Sequence, residues 1–282
     1  MAKQQMNIVF WGVRGSRPVP GPDTVIFGGN TACVEIRIGE RLIILDAGTG
    51  ICNLGSALMR RGHVQADLFI THTHWDHIQG FPFFAPAFQS GNRFVIYGEG
   101  KMNKNFPALM RGQMIYEHFP VSIEQMGAHF EFHEIAPGMC LDIGDGITVR
   151  TFPGHHPGRS ILYRIDHASG CCCYLIDHEH ETDPERYQAL VDFTRGADVV
   201  IYDTHFTDEE YYGSETLPSR MGYGHSTWQE GVKLVEAAGA KQLVLFHHAT
   251  DRTDKAMKAV EKLAKKHCPN CLAAREGMVI TL

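Results

Sequence analysis

Ile70-Thr71-His72-Thr73-His74-Trp75-Asp76-His77 is the stretch on which the reading of this chain turns. His72 and His74 lie two residues apart, and in extended backbone such residues point to the same side, so both imidazoles can converge on one cation. Asp76 and His77 follow where the chain must turn, and can face a second cation. The apolar run Asp67-Leu68-Phe69-Ile70 immediately before reads as a strand, so the cluster sits at a strand's C-terminal end. Seventeen histidines give an occasional His-x-His by chance. Four candidate ligands packed into six residues after a strand weigh instead for a metal site.

Outward from the cluster, strands dominate both halves of the chain. Asn7 to Trp11 is short and β-prone, and 32–38 and 41–45 form a pair with a hairpin turn at Gly39-Glu40. A strand is expected near 93–97. Residues 100–125, rich in Met, Phe and Pro, read as an inserted, helix-containing flap. The second half opens with strands near 147–152, 160–165 and 171–176. Helices then alternate with strands. Asp183-Pro184 opens one helix, with an N-cap followed by Pro at the first helical position. Ser226 or Thr227 opens a second, which Gly239 ends. Thr253 to His267 forms a third. Strands at 197–202, 242–246 and 278–282 complete the pattern. No linker or repeat divides the chain, so 1–282 reads as a single domain of two sheets with helices outside.

The net charge of −6 argues against general nucleic-acid binding, which usually shows as a basic surface. The lysines of 255–266 alternate with apolar residues, as on the solvated face of a helix. No segment is apolar for long enough to cross a bilayer, and the N-terminus carries no secretion signal, so a cytoplasmic location with reduced thiols is expected. Cys171, Cys172 and Cys173 read as buried small residues. Cys268-Pro-Asn-Cys271 has metal-ligand spacing but lacks the second pair that a structural zinc site needs.

Thr71-His72-Thr73-His74-Trp75-Asp76-His77 resembles the signature of the metallo-β-lactamase superfamily, and other segments agree with it in order. Leu45-Asp46-Ala47-Gly48-Thr49 resembles the motif whose Asp supports the metal loop. His156-Pro157-Gly158-Arg159-Ser160 resembles the segment carrying the third His. Tyr174-Leu175-Ile176-Asp177 resembles the segment of the bridging Asp, and Leu245-Phe246-His247 that of the last His. Among subgroups, the likeness is to ribonuclease Z-like proteins and cyclic-phosphate phosphodiesterases. The resemblance implies an α/β (α+β) fold, a four-layer αββα sandwich. It implies two divalent ions, zinc first, with manganese or iron as credible occupants. One ion would take His72, His74 and His156, and the other Asp76, His77 and His247, with Asp177 between them. His156 is preferred to His155 for its spacing to Tyr163, and His247 to His248 as the residue nearer the strand. Asp46 is expected to support the ligands from behind.

Two ions can acidify a shared water and neutralise charge that builds in the transition state, which favours an anionic phosphodiester. Flavo-diiron relatives place Glu where His74 stands, so redox chemistry is not expected. Ile201-Tyr202-Asp203-Thr204-His205 resembles the His-Glu-Ala-Thr loop of ribonuclease Z-like enzymes, with Asp in the Glu place and Tyr202 in that of its first His. Gly224-His225-Ser226-Thr227 resembles their His-Ser-Thr loop. The resemblance casts His225 as general acid and Asp203 as its orienting partner, alongside Asp76 at the metals. Weaker candidates for the rim or for support are Arg14, Ser16, Asn30, His155 and His248. No long, basic, glycine-rich arm for gripping transfer RNA is present. Residues 100–125 suggest a lid or homodimer contact and a small phosphodiester such as a cyclic nucleotide. The rival readings are a ribonuclease Z-like RNA-processing nuclease, a thioester or lactone hydrolase, and a metal-binding ligand sensor with little turnover.

Overall fold

The computed structural model describes residues 4–101 and 103–282. They form two compact units. One is built on Gly28–Ala136 with the segment through Pro20 and the tail Arg275–Thr281, and the other on Pro137–Ala274 with Gly21–Phe27. Among the described residues, no helix is long and apolar enough to cross a membrane, and no cysteine is in a disulfide.

The first unit carries β1 (Met6–Gly12), β2 (Cys33–Ile38), β3 (Arg41–Leu45), β4 (Gln65–Phe69), β5 (Arg93–Gly98) and β6 (His129–Glu134). β1 to β3 run antiparallel, and β3 to β6 run parallel. Gly39 and Glu40 close the β2–β3 hairpin, and Gly39 takes the positive φ of 56° that such a tight turn demands. Leu42 to Leu45 are all buried, as expected of a strand covered on both faces. Helix α1 (Gly50–Leu58) lays Ile51, Leu54 and Leu58 into a core shared with Ile44, Leu68, Phe94 and Ile96. The short α2 (Trp75–Ile78) holds half of the metal motif. The expected insertion contains α3 (Phe106–Gly112), and Phe106, Met110 and Met114 belong to the same core.

The second unit carries β7 (Cys140–Asp142), β8 (Thr148–Gly154), β9 (Ser160–His167), β10 (Gly170–Leu175), β11 (Val199–Asp203), β12 (Leu243–Phe246) and β13 (Cys271–Ala273). Here β7 to β10 run antiparallel and β10 to β13 parallel. Helices α4 (Pro184–Thr194), α5 (Asp208–Tyr212), α6 (Trp228–Ala238) and α7 (Asp254–His267) complete it. Leu190, Val232, Val235, Met257 and Val260 pack from α4, α6 and α7 on Leu162, Cys173, Val200 and Leu245 of the sheet. Asp183, Thr227 and Thr253 cap their helices, each side chain accepting from an N–H three residues on. The sequence left Ser226 and Thr227 open as caps, and Thr227 fills the role. Gly239 ends α6 in the left-handed conformation. Cys171, Cys172 and Cys173 are buried along β10. The last strand, β14 (Val279–Thr281), pairs antiparallel with β1 and so belongs to the first sheet. Two mixed seven-stranded sheets with helices give the α/β class that the sequence implied.

Candidate metal centre

In the first unit the donors stand just past the C-terminal ends of parallel strands. Asp46 follows β3 in a left-handed conformation (φ 61°), which Asp tolerates better than most residues. Its buried Oδ1 accepts from the Thr71 N–H at 2.8 Å and the Thr71 hydroxyl at 3.0 Å. Its Oδ2 accepts from His77 Nδ1 at 2.8 Å. That bond fixes the proton on Nδ1 and leaves the Nε2 lone pair for a cation, the usual arrangement behind a ligating His. The backbone of the same turn holds α2 in place. Ala47 N–H donates to His77 O at 2.7 Å, and Gly80 N–H donates to Ala47 O at 2.9 Å. A Cβ on Gly48 would stand 2.2 Å from Asp76 O, so only glycine permits the approach. The rings of His74 and His77 lie 4.3 and 4.4 Å from that of His72. Asp76 Oδ2 accepts from the Ser16 N–H at 2.7 Å and lies 3.1 Å from His77 Nε2.

The second unit gathers His156, Asp177, Asp203, His225 and His247 from five separate segments. Asp177 lies two residues past β10 with φ 50°, and His247 follows β12 with φ 60°. His247 Nε2 is 3.1 Å from Asp177 Oδ2, and His156 Nε2 is 3.6 Å from Asp177 Oδ1. His156 Nδ1 donates to Gly224 O at 2.9 Å, which turns Nε2 toward the aspartate. Gly224 has φ 83°, and a Cβ there would meet His156 Nδ1 at 2.3 Å. Asp203 ends β11. Its Oδ2 accepts from His225 Nδ1 at 2.9 Å and from the Asp177 N–H at 3.0 Å. His225 Nδ1 is also 3.9 Å from Asp177 Oδ1. Ligating atoms of Asp177, Asp203, His225 and His247 all fall within 4.8 Å of one another.

The adjacent histidines separate clearly. The side chain of His155 is 48% exposed and approaches Glu181 at 3.8 Å, whereas that of His156 is 4% exposed. His248 points away from Asp177: its Nε2 donates to Ala274 O at 2.8 Å, and its ring packs edge-on against Phe27. Two weaker candidates are committed to structure in the first unit. Arg14 is fully buried and its Nε donates to Gly28 O. Asn30 is clamped by Glu276, which accepts from both its backbone and side-chain N–H groups.

Sequence reasoning missed several residues around Asp177. Glu179 accepts from the Tyr211 hydroxyl at 2.5 Å and from the N–H groups of Gly222 and Gly224 at 2.7 and 2.9 Å. It thereby anchors the segment that leads into His225. Burial disfavours its charge, but these hydrogen bonds outweigh that and hold its carboxyl below the usual pKa. His205 lies flat against His225, with ring centroids 4.5 Å apart, and its Nδ1 donates to His247 O. Burial, then the neighbouring imidazoles, drives the pKa of His205 well down and keeps it neutral. His178 is likewise held neutral, near pKa 3, mainly by burial. The signal for this group was present: 177–181 reads Asp-His-Glu-His-Glu directly after an apolar strand, and all five are buried.

The donors in both units are imidazoles and carboxylates, and His77 and His156 already have Nδ1 hydrogen-bonded, a set that fits divalent metal ions. Among the described residues, no candidate metal group includes a cysteine.

The family profile described as "Beta-lactamase superfamily domain" matches residues 41–248. A ribonuclease Z of Thermoplasma volcanium is 24% identical, covering 88% of this chain and 89% of its own length. Among solved structures, the metallo-beta-lactamase fold protein YhfI of Bacillus subtilis superposes with a TM-score of 0.72 at 18% identity, over 99% of this chain and all of that one. The short form of human tRNase Z gives 0.68 at 20% identity, covering 97% and 98%. The chain thus belongs to the metallo-β-lactamase superfamily, as a hydrolase that is similar to ribonuclease Z.

Proposed function

We propose that this protein is a dinuclear metal-dependent phosphodiesterase. His72, His74 and His156 would hold one ion, Asp76, His77 and His247 the other, and Asp177 both. Family membership and the preset Nε2 atoms of His77 and His156 support this ligand set. Its imidazole and carboxylate donors suit zinc, and manganese or iron as well. When bound, two divalent ions would acidify a water and neutralise charge on the phosphoryl oxygens.

The observation that carries the phosphodiester reading is the His225–Asp203 pair, 2.9 Å apart and next to Asp177. Asp203 accepts a hydrogen bond from His225 Nδ1–H and so aims Nε2 outward. A proton on that atom can pass to the departing oxygen of an ester whose alkoxide would leave poorly. His205 keeps the His225 ring from rotating, and Glu179 holds its loop. A thioester gains little from such a donor, because a thiolate leaves without one. Side-by-side assays of metal-replete protein on bis-p-nitrophenyl phosphate and on a thioester test the reading, and faster thioester cleavage would reject it.

A second reading is supported by the named relatives: an RNA-processing nuclease with the same chemistry on a larger phosphodiester. The charge of −6 and the absence of a basic arm favour the small substrate. Parallel turnover of cyclic mononucleotides, cyclic dinucleotides, linear dinucleotides and precursor transfer RNA separates the two. Cytoplasmic action and a homodimer belong to the same proposal.

A further inference from the structure

Within the first unit, α2 and the inserted segment enclose an open cavity of about 370 Å³. That volume lies in the range of small-molecule sites. One wall is Trp75 and Phe83, which are 75% and 61% exposed. Leu109, Gln113, Phe119 and Lys104 also line the cavity. Phe83 and Phe119 meet edge to face at 5.4 Å. Trp75 lies between His74 and Asp76 in the chain, so the cavity starts at the metal motif itself. Its inserted wall is braced: Arg111 donates to Glu124 at 2.6 Å, and Ser122 and Gln125 form a reciprocal cap.

We propose that this cavity is the subsite for a nucleobase of the substrate; the inference rests on the phosphodiesterase reading and names its substrate class as nucleotide. Large aromatic faces left open to solvent are the platform on which bases stack. The polar groups speak against a plain hydrocarbon. Gln113 lines the cavity, and an amide there can donate to a ring nitrogen or carbonyl of a base, whereas a hydrocarbon chain offers no acceptor. Lys104 supplies a cation for the anionic part of the same ligand.

The test compares two esters with one leaving group, thymidine 5′-(p-nitrophenyl phosphate) and methyl p-nitrophenyl phosphate. Wild-type kcat/KM should favour the nucleoside ester. In Phe83→Ala, Phe119→Ala and Gln113→Leu that preference should fall by about tenfold, the lower part of the range for losing one stacked base, with the loss in KM. No preference in the wild type, or a preference unchanged in all three variants, overturns the subsite while leaving the phosphodiesterase reading intact. Calorimetric titration with adenosine 5′-monophosphate runs alongside. If neither ester is hydrolysed, the phosphodiesterase reading fails, and the subsite is judged by that titration alone. Binding weakened about tenfold by Phe83→Ala supports it, and no binding to the wild type overturns it.

Discussion

The two units solve one problem with different sequence economies. Both place donors past the C-terminal ends of parallel strands, with His156 after the antiparallel β8 as the exception, and both use a non-glycine residue at positive φ there: Asp46 in the first, Asp177 and His247 in the second. Such backbone costs roughly 1–2 kcal/mol per residue and persists only where surrounding bonds over-determine it. In the first unit those bonds converge on one turn, because Asp46, Ala47 and Gly48 fix Thr71, His77 and α2 together. In the second they spread over loops that are distant in sequence. Asp203 holds both Asp177 and His225, Gly224 holds His156, and Glu179 holds Gly224. A compact motif thus has one point of failure, while a dispersed one depends on links between loops.

The largest effect that could break this comparison is loss of a donor. Asp177→Ala should strip activity to background and lower metal content together, and elemental analysis with a turnover assay checks both. Retained metal at full occupancy would show that the second unit's donors do not act as a set. Next in size is the proton donor. His225→Ala should slow esters with poor leaving groups on the order of a hundredfold or more, and nitrophenyl esters far less, with metal unchanged. Equal losses for both ester types would remove His225 from that role.

Supports should cost less than donors, and the two units should differ in how. Asp46→Asn should weaken metal affinity by about ten- to a hundredfold, read in a competition titration with a chelator. Glu179→Gln keeps the side chain's shape but removes the charge facing Gly222 and Gly224. It should lower kcat on poor leaving groups, with less effect on metal, because it acts on the loop before His225. A Glu179→Gln protein as metal-poor as Asp46→Asn would erase the distinction. The smallest effect should come from Thr253→Ala, which removes the α7 cap. It should cost about 1 kcal/mol in denaturant unfolding and leave turnover unchanged.

The sequence made the two halves unequally legible for the same reason. His72 to His77 lie within one strand-to-helix turn, so period and residue type alone mark them. His156, Asp177 and His247 are single polar residues in three segments, and only the resemblance tied them together. Their adjacent partners His155 and His248 carry the same residue type, and what separates them is orientation, which no spacing encodes. Strands β7 and β13 went unread because Cys-Leu-Asp and Cys-Leu-Ala lack the β-branched residues that mark the equally short β14, and α1 because Gly50 and Gly55 disguise its apolar face. β6 does alternate, but His129, Glu131, His133 and Glu134 gave it a polar cast. Glu179 was hidden by its neighbours: beside an aspartate at a metal motif, an anchoring carboxylate looks like any other.

Metal stoichiometry tests the proposed dinuclear ligand set most directly. After metal reconstitution and removal of excess, elemental analysis should find close to two transition-metal ions per wild-type chain. It should find clearly fewer in both His77→Ala and His247→Ala, because each residue is assigned to the same ion. At most one ion in the wild type, or two ions retained in either variant, would contradict the account.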